Sequence, residues 1–250
     1  MTGVLRAELL KLRTTRTAVW LFAGLLALVC FVVLLHGFNL SPSRADHSGQ
    51  MRIFGWGELG ALFAALLGAV SITGELRNGL VRPTFLATPR RQQVLAAKLL
   101  SAMLAGLAFG AAAEVLAIGL GSATLSARGI PIRLEGEDYA QLILGGVVAA
   151  ALWAPVGLGV GASLRNQVPT LIGLCAWLLF VENLLIGELP AVARYLPGAA
   201  AAAIGGATIT GEVPTDPPLL PPILGALLLA GYAAVAMIIG IAATERRDVP

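Results

Sequence analysis

Charge is what this chain has least of. Asp, Glu, Lys and Arg make up 12% of its 250 residues, roughly half the ~25% that a water-facing domain carries. That shortage excludes an ordinary soluble surface. With 57% hydrophobic residues and a mean hydropathy of +0.84, most of the surface must meet something apolar. Cysteine is almost absent: Cys30 and Cys175 both lie inside apolar runs, outside any CxxC or zinc spacing, which excludes a redox or metal centre built on thiolates. Histidine is as scarce. His36 and His47 have no second ligand at a recognisable spacing. Neither H-E-x-x-H nor G-x-S-x-G occurs, so an intramembrane enzyme lacks its machinery. The P-loop pattern G-x-x-x-x-G-K-[ST] is missing too, and this chain has no such cradle for ATP phosphates.

What is present is long apolar runs. Six stand out, at about 18–38, 54–73, 99–125, 140–163, 168–187 and 219–243. Each can cross a hydrocarbon core of about 30 Å as a helix, and helix is required because lone strands leave backbone groups unpaired in lipid. The run from Ala18 to His36 exceeds a signal-peptide core and no A-x-A-like site follows it, so it reads as an uncleaved anchor. The third run, the longest, must tilt or continue as helix beyond the membrane. The expected fold is an all-α integral membrane domain of six transmembrane helices, undivided by linkers or repeats. Ala199–Thr210 is apolar but short, broken by Gly205 and Gly206 and flanked by Pro197 and Pro214; it suits a re-entrant or interfacial segment before the last span.

The net charge of +3 and a pI near 9.2 could suggest nucleic acid, but the distribution argues otherwise. Twelve basic residues fall on the side shared by the two ends of the chain and five on the other. The positive-inside rule therefore puts both termini in the cytoplasm. Fifteen Arg against two Lys, with abundant Ala and Gly, fits a GC-rich bacterial genome, and the expected location is its plasma (inner) membrane.

Two cytoplasmic segments carry more than topology. In the N-terminal stretch Leu5, Leu9 and Leu12 share one helical face, with Arg6, Lys11, Arg13 and Arg16 around it. Such a helix can lie in the headgroup layer, although the same charges also enforce topology. The loop from Glu75 to Lys98 reads ELRNGLVRPTFLATPRRQQVLAAK and holds Arg77, Arg82, Arg90, Arg91 and Lys98. Gly79 and Pro83 bound a short turn-helix element, and Thr88-Pro89 offers a helix start. A compact charged loop of this kind is either a docking surface or simply a positive-inside loop.

These two segments resemble the type-2 permeases of the ATP-binding-cassette exporter superfamily. The resemblance rests on RAELLKLRTTRT at Arg6–Thr17 and on the loop order Glu75, Gly79, Thr88-Pro89, Arg90-Arg91, Lys98. It spans nearly the whole chain, including the irregular last outside loop. It implies a dimer of permease subunits, most simply a homodimer, forming a pathway in the lipid bilayer. Each would dock a separate cytoplasmic ATPase subunit that holds the ATP and Mg, so this chain itself would bear no cofactor. Residues about Glu75–Arg82 would be the coupling helix, the N-terminal helix an interfacial helix beside it, and the segment near Ala191–Thr210 a re-entrant cap. An ATP-independent carrier and a membrane-anchored assembly factor are the rival readings.

Three carboxylates fall within the spans. Glu58 lies near the start of the second, Glu114 inside the third and Glu182 inside the fifth. An ionised group there costs a few kcal/mol, so each should face the bundle interior, as a pathway carboxylate or as a structural hydrogen-bond acceptor. Gly106 with Gly110 and Gly157 with Gly161 make GxxxG pairs suited to close helix packing, and Pro155 could kink the fourth span.

Overall fold

A computed structural model describes residues 2–79, 91–206 and 218–247. Among them there is no strand; every long element is a helix. The chain opens with α1 (Thr2–Thr14), turns at Thr15, and enters α2 (Arg16–Asn39). The short α3 (His47–Phe54) follows on the far face. Through the 3₁₀ turn Gly55–Glu58 it feeds α4 (Leu59–Arg77), which returns to the face bearing α1. Next come α5 (Arg91–Ala127) and α6 (Gly136–Leu164). The fifth crossing is composite: α7 (Gln167–Ala176), a π turn at Trp177–Val181, and α8 (Glu182–Glu188). Two short far-face helices, α9 (Pro190–Ala193) and α10 (Pro197–Gly205), precede α11 (Pro222–Arg247).

Six of these helical stretches are long and apolar enough to cross a membrane: Arg16–Asn39, His47–Arg77, Gln93–Ala127, Gly136–Leu164, Gln167–Ile186 and Pro222–Ala243. The six-span, all-α architecture expected from hydropathy is therefore present. Boundaries differ where polar residues extend a helix past its apolar core. The third crossing continues as helix well beyond the 99–125 run, toward Arg91. The second starts earlier, because Asp46 caps α3 by accepting the Gly49 N–H at 2.8 Å. Helix α6 runs on through Pro155.

The centre of the bundle is α4 and α6, with α5 and α11 packed on α6 and α2 packed on α5. Small residues make this possible. A Cβ at Gly157 would collide with the backbone of Ala65 on α4, so the two helices touch main chain to main chain. The GxxxG pairs thus serve packing within one chain. Large apolar side chains on α2, the composite fifth crossing and α11 remain exposed, including Trp20, Phe31, Ile172, Phe180 and Leu227. Apolar surface on this scale needs a lipid or protein cover.

Of the short far-face helices, α10 is buried almost throughout, Ala199 to Gly205 all lying inside, against α6 and α11. Its alanines let it enter the bundle without spanning it, as the composition of Ala199–Thr210 suggested. Residues 207–210 of that segment lie outside the described residues.

Candidate functional site

On the face bearing the two termini, three elements distant in sequence meet through four charges. Glu8 and Lys11 come from α1, Glu75 from the last turn of α4, and Lys98 from the early part of α5. Lys98 Nζ lies 2.6 Å from Glu8 Oε2 and 2.9 Å from Glu75 Oε1. Lys11 Nζ lies 2.6 Å from Glu8 Oε1 and 3.0 Å from Glu75 Oε1. Each ammonium touches both carboxylates, so the four groups close a neutral ring.

The local folding explains the meeting. Glu8 and Lys11 are three apart and share a side of α1, beside the Leu5, Leu9 and Leu12 face. That face is half-buried, and α1 packs on α5 and α2, with Leu12 against the core. The helix therefore turns its leucine side partly toward protein. Helix α4 stops at Gly79, whose φ of +67° is the left-handed conformation that glycine adopts without strain. This stop holds Glu75 in the final turn, beneath α1.

Burial makes the ring energetically significant. The side chains of Glu8, Glu75 and Lys98 are 4%, 10% and 7% exposed, against 41% for Lys11. Burial alone would push the Glu8 carboxyl up, but Lys98 and Lys11 together hold it below its ordinary value. Burial likewise opposes the charge on Lys11, and Glu8 and Glu75 outweigh it, raising the ammonium above its ordinary value. Beside the ring opens a cleft of about 230 Å³, floored by the four charges and walled by Leu12, Leu67 and Gln167 among others. Arg77 lines this cleft and is exposed. Arg6, Arg13 and Arg16 are exposed on the same face and stand apart from the ring.

Arg82, Pro83, Thr88, Pro89 and Arg90, the rest of the expected docking loop, lie outside the described residues, and Arg91 is described only as the first residue of α5. The sequence reading singled out Lys11, Glu75 and Lys98 but passed over Glu8. Its signal was an acid three residues before Lys11 in an otherwise basic helix.

Deeper in the bundle the three carboxylates of the spans are all buried, at 2%, 0% and 2% exposure for Glu58, Glu114 and Glu182. Glu182 has a clear structural task. Its Oε1 accepts the backbone N–H groups of Gly198 at 2.6 Å and Ala199 at 2.9 Å, the first donors of α10. A carboxylate there satisfies orphan donors and complements the helix dipole. Glu114 is different. Its carboxylate is wedged against the bare backbone of Gly57 and Gly146, where any Cβ would strike it. Neither of its oxygens has a hydrogen-bond partner among the described residues, nor has Glu58 Oε1. Glu58 in turn faces the tip of α10, 2.8 Å from where a Cβ on Gly205 would stand. Two buried acids from different spans thus adjoin the inserted helix.

Gln50 also escaped the sequence reading. It is fully buried; its Nε2 donates to the carbonyls of Ala45 and Pro131, and its Oε1 accepts the Arg133 N–H at 2.8 Å. One amide stitches α3 to the loop before α6.

No protein-family model matches the chain, and no curated protein matches it.

Proposed function

We propose that this chain is the membrane-spanning permease subunit of an ATP-driven exporter of the type-2 ATP-binding-cassette class. In this reading it sits in a bacterial plasma membrane with both termini in the cytoplasm. Two copies form the translocation pathway, and each engages a separate ATPase subunit that carries ATP and Mg.

One observation carries the reading. The two segments that resemble the permease motifs, at Arg6–Thr17 and Glu75–Lys98, are joined by the ring of Glu8, Lys11, Glu75 and Lys98. A partner that pushes on the loop after Arg77 therefore moves α1, α4 and α5 as a unit. Separating buried partners leaves uncompensated charge at a cost of about 3–5 kcal/mol, so the joint transmits force instead of yielding. The scarcity of charge elsewhere in the bundle makes this ring a natural place for an external subunit to act.

Co-purification tests the proposal. The tagged full chain, extracted in mild detergent, should bring down a stoichiometric soluble protein containing a Walker A motif. Purification of the chain alone under several conditions would sink the reading and favour an ATP-independent carrier or an assembly factor.

A further inference from the structure

The face opposite the ring holds a second cavity, of about 260 Å³, between the end of α2 and the α3 hairpin. Its lining is basic and aromatic: His36 and Asn39 from α2, Arg44 before α3, Arg52 on α3, and Trp56 in the 3₁₀ turn. Neither Arg44 nor Arg52 makes a side-chain hydrogen bond or salt bridge among the described residues, and both are exposed. The acid of this hairpin, Asp46, lies within electrostatic reach of Arg52. It is engaged as the α3 cap, accepting from the Gly49 N–H and the Ser48 hydroxyl. His36 uses Nδ1 on the Val32 carbonyl at 2.9 Å, its Nε2 has no hydrogen-bond partner among the described residues, and its ring lies 5.0 Å from that of Trp56.

Two guanidinium groups that pair with none of the described residues, at one cavity, suit a phosphate, whose oxygens accept paired N–H donors. The cavity falls just short of the ~300–1,000 Å³ of small-molecule clefts. It suits a head group and leaves no room for a whole lipid. On α2, whose His36 and Asn39 line the cavity, Phe31, Leu35 and Phe38 are 63%, 46% and 60% exposed on the adjoining helical face. Charge, volume and the neighbouring apolar strip therefore agree on one kind of occupant.

We propose that this pocket binds the phosphate head of an anionic amphiphile, with Arg44 and Arg52 pairing its oxygens and the hydrocarbon lying along Phe31, Leu35 and Phe38. This site is independent of the exporter reading and of which face is cytoplasmic.

The full chain in phosphatidylcholine nanodiscs is titrated with dioctanoyl phosphatidic acid and, separately, with inorganic phosphate, following tryptophan fluorescence. The expected result is a saturable change with the amphiphile that vanishes in Trp56→Phe, weakens at least tenfold in the Arg44→Gln/Arg52→Gln double variant, and persists in Arg194→Gln. Inorganic phosphate should compete only at concentrations at least tenfold higher. Equal competition by inorganic phosphate would overturn the amphiphile and leave a free-phosphate site. A response unchanged in the double variant, with thermal unfolding of that variant also unchanged, would overturn the pocket itself.

Discussion

Lys98 and Glu8 meet at 2.6 Å although they lie 90 positions apart in sequence. No backbone ladder brings α1 to α5; the contact depends on this pair, its two neighbours Lys11 and Glu75, and half-buried leucines. Removing one buried charge should therefore cost more than removing two. Lys98→Met alone should destabilise the chain by about 3–5 kcal/mol. The Glu8→Gln/Lys98→Met double variant should recover part of that loss. Thermal unfolding in detergent of the two singles and the double gives the coupling, and strict additivity would dissolve the ring as a unit.

The ring should also set how α1 responds to acid. The folded Glu8 carboxyl lies below its ordinary 4.5, so it contributes stability above that value and loses it as pH falls through the lower folded one. Lys11 is raised above its ordinary 10.5, so its contribution is complete below that value and is lost as pH rises through the higher folded one. Across the neutral range α1 should stay docked. Hydrogen exchange of Thr2–Thr14, corrected for intrinsic rates, should show protection lost only in acid below pH 4.5. The Glu8→Gln variant should lose that acid step.

Glu182 predicts a local effect. With its carboxylate removed, the first N–H groups of α10 lose their acceptor inside the bundle. Glu182→Ala should cost about 1–3 kcal/mol and raise exchange at 197–205 while α4 and α6 stay protected. Uniform loosening of the whole bundle would contradict the capping role.

Glu114 has no such task among the described residues, and its two oxygens, which find no hydrogen-bond partner there, predict the opposite pattern. Glu114→Ala should assemble as well as the parent and fail in export, read as loss of permease-stimulated ATP turnover. Full activity would make the carboxylate dispensable. Gly146→Ala, which drives a methyl into the same carboxylate, should instead reduce folded yield.

The six crossings were legible because a span needs some 20 apolar residues and polar segments separate these cleanly. The inserted α10 was legible from being apolar, too short and bounded by Pro197. The N-terminal leucine face was visible in its spacing, but its direction was not, since a lone helix shows the same stripe toward lipid or protein. Lys11, Glu75 and Lys98 could be singled out by their motif order. Their meeting with Glu8 could not, because it depends on where α4 stops and how deep α5 begins. Gln50 and the glycines against Glu114 were hidden for a similar reason. A polar residue in an apolar run declares that it needs a partner, and only the packing names it.

If the ring passes motion from an ATPase to the spans, ATP turnover by the reconstituted complex must depend on it. Permease and ATPase are reconstituted together in lipid, and hydrolysis is compared for the parent chain, Lys98→Met and Glu75→Gln. The ATPase should remain bound to the variants while the stimulation by the permease falls at least tenfold. Stimulation equal to the parent, with binding intact, would contradict it.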